Sequence, residues 1–147
     1  MHEPRVPYVV ELHRAVHAVG LFLDARTAGA VSQPEALVLV QLAEHGTSTM
    51  NALHHAFLHR RSTLTSVVDR LAARGLVTRR PVAGDRRSLA VELTRAGRAQ
   101  ARAVLRALDE LEAIVERARQ PGEAAAHAAF LHDVAEAAAE LARTQTE

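Results

Sequence analysis

The sequence predicts a mainly α-helical protein carrying one small β-hairpin. Three observations predict it. From Leu64, apolar residues fall at Leu64, Val67, Val68 and Leu71, the i, i+3, i+4, i+7 spacing of one buried helix face. Downstream, Leu89, Val91 and Leu93 alternate with Ser88, Ala90 and Glu92, the period of a half-buried strand. On both sides, long segments repeat apolar residues at alternating spacings of three and four, which suits helix pairing. A length of 147 residues with 48% hydrophobic content fits a single domain, 1–147, with a real core.

The first element is a long helix from Val6 to about Ala28, with Val9, Leu12, Val16, Val19 and Leu23 along one seam and Gly29 at its end. That seam serves an intrachain core or a second copy equally well. The second helix starts at Ser32, where Ser32 and Glu35 fit a Ser-x-x-Glu capping box and Pro34 sits in the first turn. Its Leu37 to Ala43 stretch is apolar almost all round, so this helix is expected to be central and buried. Gly46 ends it. Thr47 to Thr49 reads as a small third strand. Met50 to Phe57 reads as a short helix with Leu53 and Phe57 inward.

A turn around Leu58 to Arg60 leads into the helix of Leu64 to Leu71. Its outer face carries Ser62, Thr65, Ser66 and Asp69, short hydrogen-bonding side chains that let the backbone approach a groove. Gly75 stops this helix. Leu76 to Arg80 and Ser88 to Leu93 form the hairpin strands, and residues 81–87 the turn, ending in Arg86 and Arg87. Two helices joined by a tight turn and followed by a hairpin make a winged helix-turn-helix over residues 32–94. Thr94 caps a long helix reaching about Arg119, with Val104, Leu108, Leu111 and Val115 on its seam. Pro121-Gly122 breaks it. The last helix runs from about Glu123 to Arg143, with Phe130, Val134, Ala137 and Leu141 aligned.

Composition excludes several functions. There is no cysteine, which removes disulfides, thiolate metal sites and thiol redox sensing. No apolar run is long enough to span a membrane, and the N-terminus lacks a signal-peptide pattern, so a cytoplasmic location is expected. No glycine-rich phosphate loop, His-Glu-x-x-His motif or nucleophile–base constellation is present, so neither a catalytic site nor a cofactor is expected. His13 and His17 share a helix face at i, i+4, a spacing that could hold a metal, but no carboxylate or thiolate accompanies them, and no metal site is assigned. His54, His55 and His59 cluster before the groove helix.

The net charge of +1 hides an asymmetry. Residues 60–102 hold eleven Arg against Asp69, Asp85 and Glu92, giving +8, while the rest of the chain carries −7. Such a basic segment, coinciding with a groove helix and a hairpin tip, is the electrostatic footprint of a nucleic-acid binder.

At this point the sequence resembles the MarR family of bacterial transcription regulators. The resemblance covers roughly Ser32 to Gly97. It rests on Ser32-Gln33-Pro34-Glu35, on Ser62 through Leu71, on Arg74-Gly75-Leu76-Val77, on Asp85-Arg86-Arg87-Ser88, and on Leu93-Thr94 with Gly97. It implies a homodimer built from terminal dimerisation helices, residues 1–31 and 95–147. It also implies two winged domains on a palindromic double-stranded DNA site, and often a small organic effector bound between the two parts. The sequence departs from the family pattern at Arg60, where a small capping residue is common, at Leu58, where glycine is common, at Ser66, often basic, and at His54, usually small.

DNA contacts are expected from Arg60, Arg61, Ser62, Thr63, Thr65 and Ser66 near the groove helix N-terminus, whose free N–H groups also favour a phosphate. Arg86 and Arg87 are the wing candidates. Arg70 reaches phosphate or braces the hairpin. Asp85 takes the structural place of the family's Asp-x-Arg motif. His13 and His17 are assigned to an effector cleft between the first helix, the second helix and the start of the fifth. The expected function is a DNA-binding regulator, a repressor rather than an activator. The alternatives are a winged-helix module that binds an acidic protein, and a small enzyme on a helical dimer, which the absent constellation disfavours.

Overall fold

The computed structural model describes residues 8–57, 61–118 and 120–144. Six helices and three strands follow in the order α1 (Tyr8–Thr27), α2 (Gln33–His45), β1 (Ser48–Thr49), α3 (Met50–Phe57), α4 (Arg61–Ala73), β2 (Val77–Val82), β3 (Asp85–Leu93), α5 (Arg95–Ala118) and α6 (Ala124–Thr144). The fold is mainly α with a small antiparallel sheet of strand order β1-β3-β2.

The predicted faces form the core. Leu64, Val67, Val68 and Leu71 of α4 are all buried, and they join Val38, Leu39 and Leu42 of α2, Leu53 of α3, Val91 of β3 and Val104 of α5. Burial of such side chains is the main favourable term in folding. The short expected strand at Thr47–Thr49 is β1, pairing Ser48 with Val91 and Thr49 with Ala90. One expectation fails at α2. Leu37 is 42% exposed and Ala43 is also exposed, so the helix buries one face, not all of its circumference. Nothing among the described residues covers Leu37 and Ala43 on the other side.

The hairpin is longer and its loop shorter than expected. Val82 already pairs with Asp85, leaving Ala83-Gly84 as a two-residue turn. Gly84 has φ 82°, a left-handed conformation that glycine adopts without a Cβ clash. Pro81 stays within β2 because that strand is an edge, where the missing N–H costs no ladder bond, and the register shift beside Val82 absorbs the irregularity.

Thr94 joins three elements. Its hydroxyl accepts from the Gly97 N–H as the cap of α5, at 3.0 Å, and donates to the Gly75 carbonyl at the end of α4, at 2.6 Å. Its own N–H donates to the Leu76 carbonyl. Gly97 lies directly against Leu76, so a Cβ there would overlap the Leu76 carbonyl oxygen. Glycine is thus required by close approach of α5 to the start of β2.

The terminal helices are different in character. Leu23 at the far end of the α1 seam is buried, but Val9 is 71% exposed, and Val16 and Leu21 are exposed as well. On α5 the inner half of the seam is covered, whereas Ile114 and Val115 face outward. In the described part of α6 only Val134 and Ala139 are even half-buried. Tyr8 meets Phe130 edge-on, with ring centroids 5.4 Å apart, and Arg26 pairs with Glu110 to tie α1 to α5. Among the described residues, no helix is long and apolar enough to cross a membrane.

The close approach at Gly97 has a measurable consequence. Gly97→Ala is expected to lower stability by about 1–3 kcal/mol, the usual effect of forcing an extra carbon into a packed contact. In urea denaturation the midpoint should fall with an unchanged slope; an unaltered midpoint would contradict the contact.

Candidate nucleic-acid interface

The outer face of α4 is presented by the core beneath it. Thr63, Thr65, Ser66 and Asp69 are exposed, opposite the buried Leu64, Val67, Val68 and Leu71. Arg60 lies outside the described residues, and so do the side chains of Arg61, Ser62, Arg86 and Arg87. The backbone places Arg61 and Ser62 in the first turn of α4, and Arg86 and Arg87 at the tip end of β3. The backbone thus places Arg61, Ser62, Thr63, Thr65 and Ser66 on one helix, and Arg86 and Arg87 near one hairpin tip.

What holds α4 in place is a buried carboxylate. Glu35 of α2 is only 6% exposed at its side chain. Its Oε1 accepts from Arg70 Nε at 3.2 Å and its Oε2 from Arg74 Nη1 at 3.2 Å. The Ser32 backbone N–H donates to Oε2 at 2.8 Å, the reach-back bond of the expected capping box. Arg74 Nη2 also donates to the Ala30 carbonyl. Burial alone would raise the Glu35 pKa. The Ser32 N–H, the Arg70 hydrogen bond and the Arg74 charge overcome that and hold the carboxyl below its ordinary value of 4.5.

Arg70 is thus tied to α2. The bracing half of its expected role is real, but the partner is Glu35 rather than the hairpin. The hairpin is braced by Arg79, whose Nη2 sits 2.5 Å from Asp69 Oδ1 on α4. Arg80, pointing to the opposite face of the strand as alternation requires, pairs with Glu92 at 2.7 Å. At the tip, Ser88 Oγ donates to Asp85 Oδ2 at 2.6 Å, which supports a structural role for that aspartate.

These pairs divide the basic segment. Arg70, Arg74, Arg79 and Arg80 are engaged with Glu35, Asp69 and Glu92. Arg95, Arg98 and Arg102 stand on α5, where Arg98 Nη1 donates to the Leu93 carbonyl at the base of the hairpin. The other arginines of the segment near α4 and the hairpin tip in sequence are Arg60, Arg61, Arg86 and Arg87, whose side chains lie outside the described residues.

Glu35 is the residue whose importance exceeds its sequence reading. A capping role explains it locally, yet a signal was present. Glu35, Val38, Leu39 and Leu42 share the i, i+3, i+4, i+7 face, so an acid was written into the buried stripe and required a buried partner. Nothing in α2 said that the partner would be Arg70 and Arg74.

His54 is half-buried between α3 and α4, beside a cavity of about 110 Å³, and its Nδ1 has no hydrogen-bond partner among the described residues. His13 and His17 are exposed on α1. A cavity of about 770 Å³ opens where the end of α2, the base of the hairpin and the start of α5 meet, and neither histidine lines it. The described residues contain no group of three His, Cys, Asp or Glu side chains that could hold a metal ion.

The elements and their contacts define a winged helix-turn-helix flanked by long helices. The sequence model of the MarR family matches residues 31–88, which covers α2 through most of the hairpin. The HTH-type transcriptional repressor NicR of Pseudomonas putida is 41% identical over 63 residues, spanning 43% of this chain and 40% of the repressor. The match thus covers less than half the length of that relative. Among solved structures, the PcaV transcriptional regulator from Streptomyces coelicolor, in complex with its natural ligand, superposes with a TM-score of 0.80 at 21% identity. That superposition covers 94% of this chain and 98% of PcaV. The S. aureus MepR–DNA complex superposes with a TM-score of 0.78 at 19% identity, covering 90% of this chain and 99% of that one. The chain is thus similar to the MarR family over residues 31–88 and shares the fold of these solved regulators along most of its length.

The Glu35 cluster sets a pH dependence. A carboxylate with a lowered folded pKa stabilises the fold above its unfolded value, and that contribution is lost as pH falls through the folded pKa. Glu35→Gln is expected to cost about 1–3 kcal/mol at neutral pH, the scale of lost hydrogen bonds to a buried charge. The gap between parent and variant should narrow as the pH drops below 4.5, the ordinary carboxyl value, because the parent then loses its own carboxylate. A gap that stays constant on acidification would show that Glu35 does not carry this charge.

Proposed function

We propose that the protein is a DNA-binding transcription regulator that acts as a homodimer on a palindromic operator, and that a small-molecule effector releases it. The observation that carries this reading is the presentation of α4. Its apolar face is locked into the core, its short polar face is exposed, and Glu35 and Asp69 fix it to α2 and to the wing. Such a helix can enter a major groove with Arg86 and Arg87 of the wing reaching the flanking backbone. Arg60, Arg61, Ser62 and Thr63 then meet phosphate near the helix start, and Thr65 and Ser66 face base edges. Similarity to a repressor favours repression over activation.

Dimerisation follows from the outer surfaces of the terminal helices. Val9, Leu21, Ile114, Phe130 and Leu141 are large, apolar and exposed on three helices, more than a small monomer ordinarily shows. Val10, His13, His17 and Leu21 fall on one stripe of α1 at spacings of three, four and four. The two histidines therefore lie on a surface that a second copy would cover, and their effector role is a proposal about that dimer.

The rival, a module binding an acidic protein, uses the same cations but has no use for base-reading side chains. Duplex DNA from upstream of its own gene separates the two. Fluorescence anisotropy should give an affinity that falls steeply with salt, and Arg87→Ala should weaken binding and reduce the slope of log affinity against log salt by about 1. Thr65→Ala should instead alter the ranking of operator variants. Intact affinity and slope in a folded Arg87→Ala protein would remove the wing contact, and affinity independent of salt would remove the DNA reading.

A further inference from the structure

We propose that His13 and His17 of α1 form half of a divalent transition-metal site, completed by the same two histidines of a second copy. The proposal rests on the homodimer reading and gives these histidines an ion in place of an organic effector. Both are exposed and lie four residues apart on one helix. That spacing stacks side chains on one face, with Cβ atoms roughly 5–6 Å apart. Two imidazole nitrogens can then each stand about 2.0–2.1 Å from one ion, as the paired histidines of a helical zinc motif do. Neither ring has a hydrogen-bond or ion-pair partner among the described residues. The neighbouring cation, Arg14, is paired with Glu11 at 2.8 Å.

Placement selects the other half of the site. Val9, Val10, Val16 and Leu21 are exposed, and in sequence they bracket the two histidines. His13 and His17 thus occupy the middle of the exposed apolar stretch of α1. In an isologous contact, residue i of one copy meets residue j of the other, and j meets i. With the two-fold axis at the middle of that stretch, His13 of each copy opposes His17 of the other, and four imidazoles converge. Four ligands are what a closed tetrahedral zinc site takes. The same contact without an ion would bury ring nitrogens among valines and leucines, which is costly unless each finds a partner.

The donor set fixes the class of ion. With Glu11 held by Arg14, the donors are imidazoles. Imidazole suits Zn²⁺, Cu²⁺ and Ni²⁺, whereas Mg²⁺ and Ca²⁺ take oxygen ligands. The described residues of one chain hold no group of three metal-ligating side chains, so the site is incomplete without the second copy. An ion bound only by the paired copies stabilises the pair by linkage.

The test is calorimetric titration of the untagged full chain with zinc chloride, with sedimentation of the same samples in EDTA and in excess Zn²⁺. One ion per two chains is expected. Zn²⁺ at about a hundredfold excess over its dissociation constant should tighten dimerisation about a hundredfold. His13→Gln and His17→Gln should each weaken binding by about a hundredfold or more, because even partners outside the ligand set cost about 10–100-fold. Both positions are exposed, so the variants should keep the helical circular dichroism of the parent. His127→Gln removes a histidine of α6 that stands four residues from Glu123, and should leave affinity within about twofold. Mg²⁺ should give no binding heat. One ion per chain, or equal loss in His17→Gln and His127→Gln, overturns the shared site. A dimer in EDTA that takes up no zinc removes the metal site and keeps the homodimer reading. A monomer under both conditions removes the homodimer reading and the shared site with it.

Discussion

The carboxylate of Glu35 is the constraint on which the orientation of α4 depends. It lies on the buried face of α2, where an unpaired charge would be costly, and Arg70 and Arg74 of the α4 segment answer it. The energetic need to satisfy one acid thereby fixes the angle of a helix whose own polar side chains face outward. A second ion pair, Arg79 with Asp69, fixes the hairpin to the same helix. Thr94 then closes the unit by bonding the end of α4 to the start of α5. Three polar ties thus convert a hydrophobic core, which sets proximity, into a defined relative placement of groove helix, wing and scaffold.

Most of the fold was legible because its signals are local. The α4 face, the β3 alternation, the Ser32 cap and the Thr94 cap each depend on residues within a few positions of one another, and each element formed as read. The hairpin loop was overestimated because Pro81 and the arginines after Gly84 resemble turn residues. The edge position of β2, a tertiary fact, lets them remain in strands. The circumference of α2 was misjudged for a similar reason. An apolar run states what can be buried, and only the arrangement of neighbours decides that Leu37 is left exposed.

The candidate surface was legible in which helix and hairpin carry it, and less so in its electrostatics. Counting arginines across residues 60–102 treats them as one footprint, yet pairing across the fold divides them into struts, groove-side cations and an α5 group. Arg70 and Arg98 have the same sequence signature, and only their partners distinguish a brace from an open charge. The separation matters for mechanism. Charges held in intrachain pairs release no counterions on DNA, so the number of phosphate contacts should be well below the arginine count.

The terminal helices extend this logic beyond one chain. Their inner ends join the core, while their outer stretches present apolar side chains that nothing among the described residues covers. Two-fold pairing through them would set two copies of α4 at a fixed distance, and a rigid distance is readable as DNA sequence. Selection of bound duplexes from a random pool measures this directly. The account predicts enrichment of an inverted repeat whose half-site centres are separated by about 10 base pairs, one helical turn, or a multiple of it. Enrichment of an isolated half-site, or no enrichment over the starting pool, would contradict it.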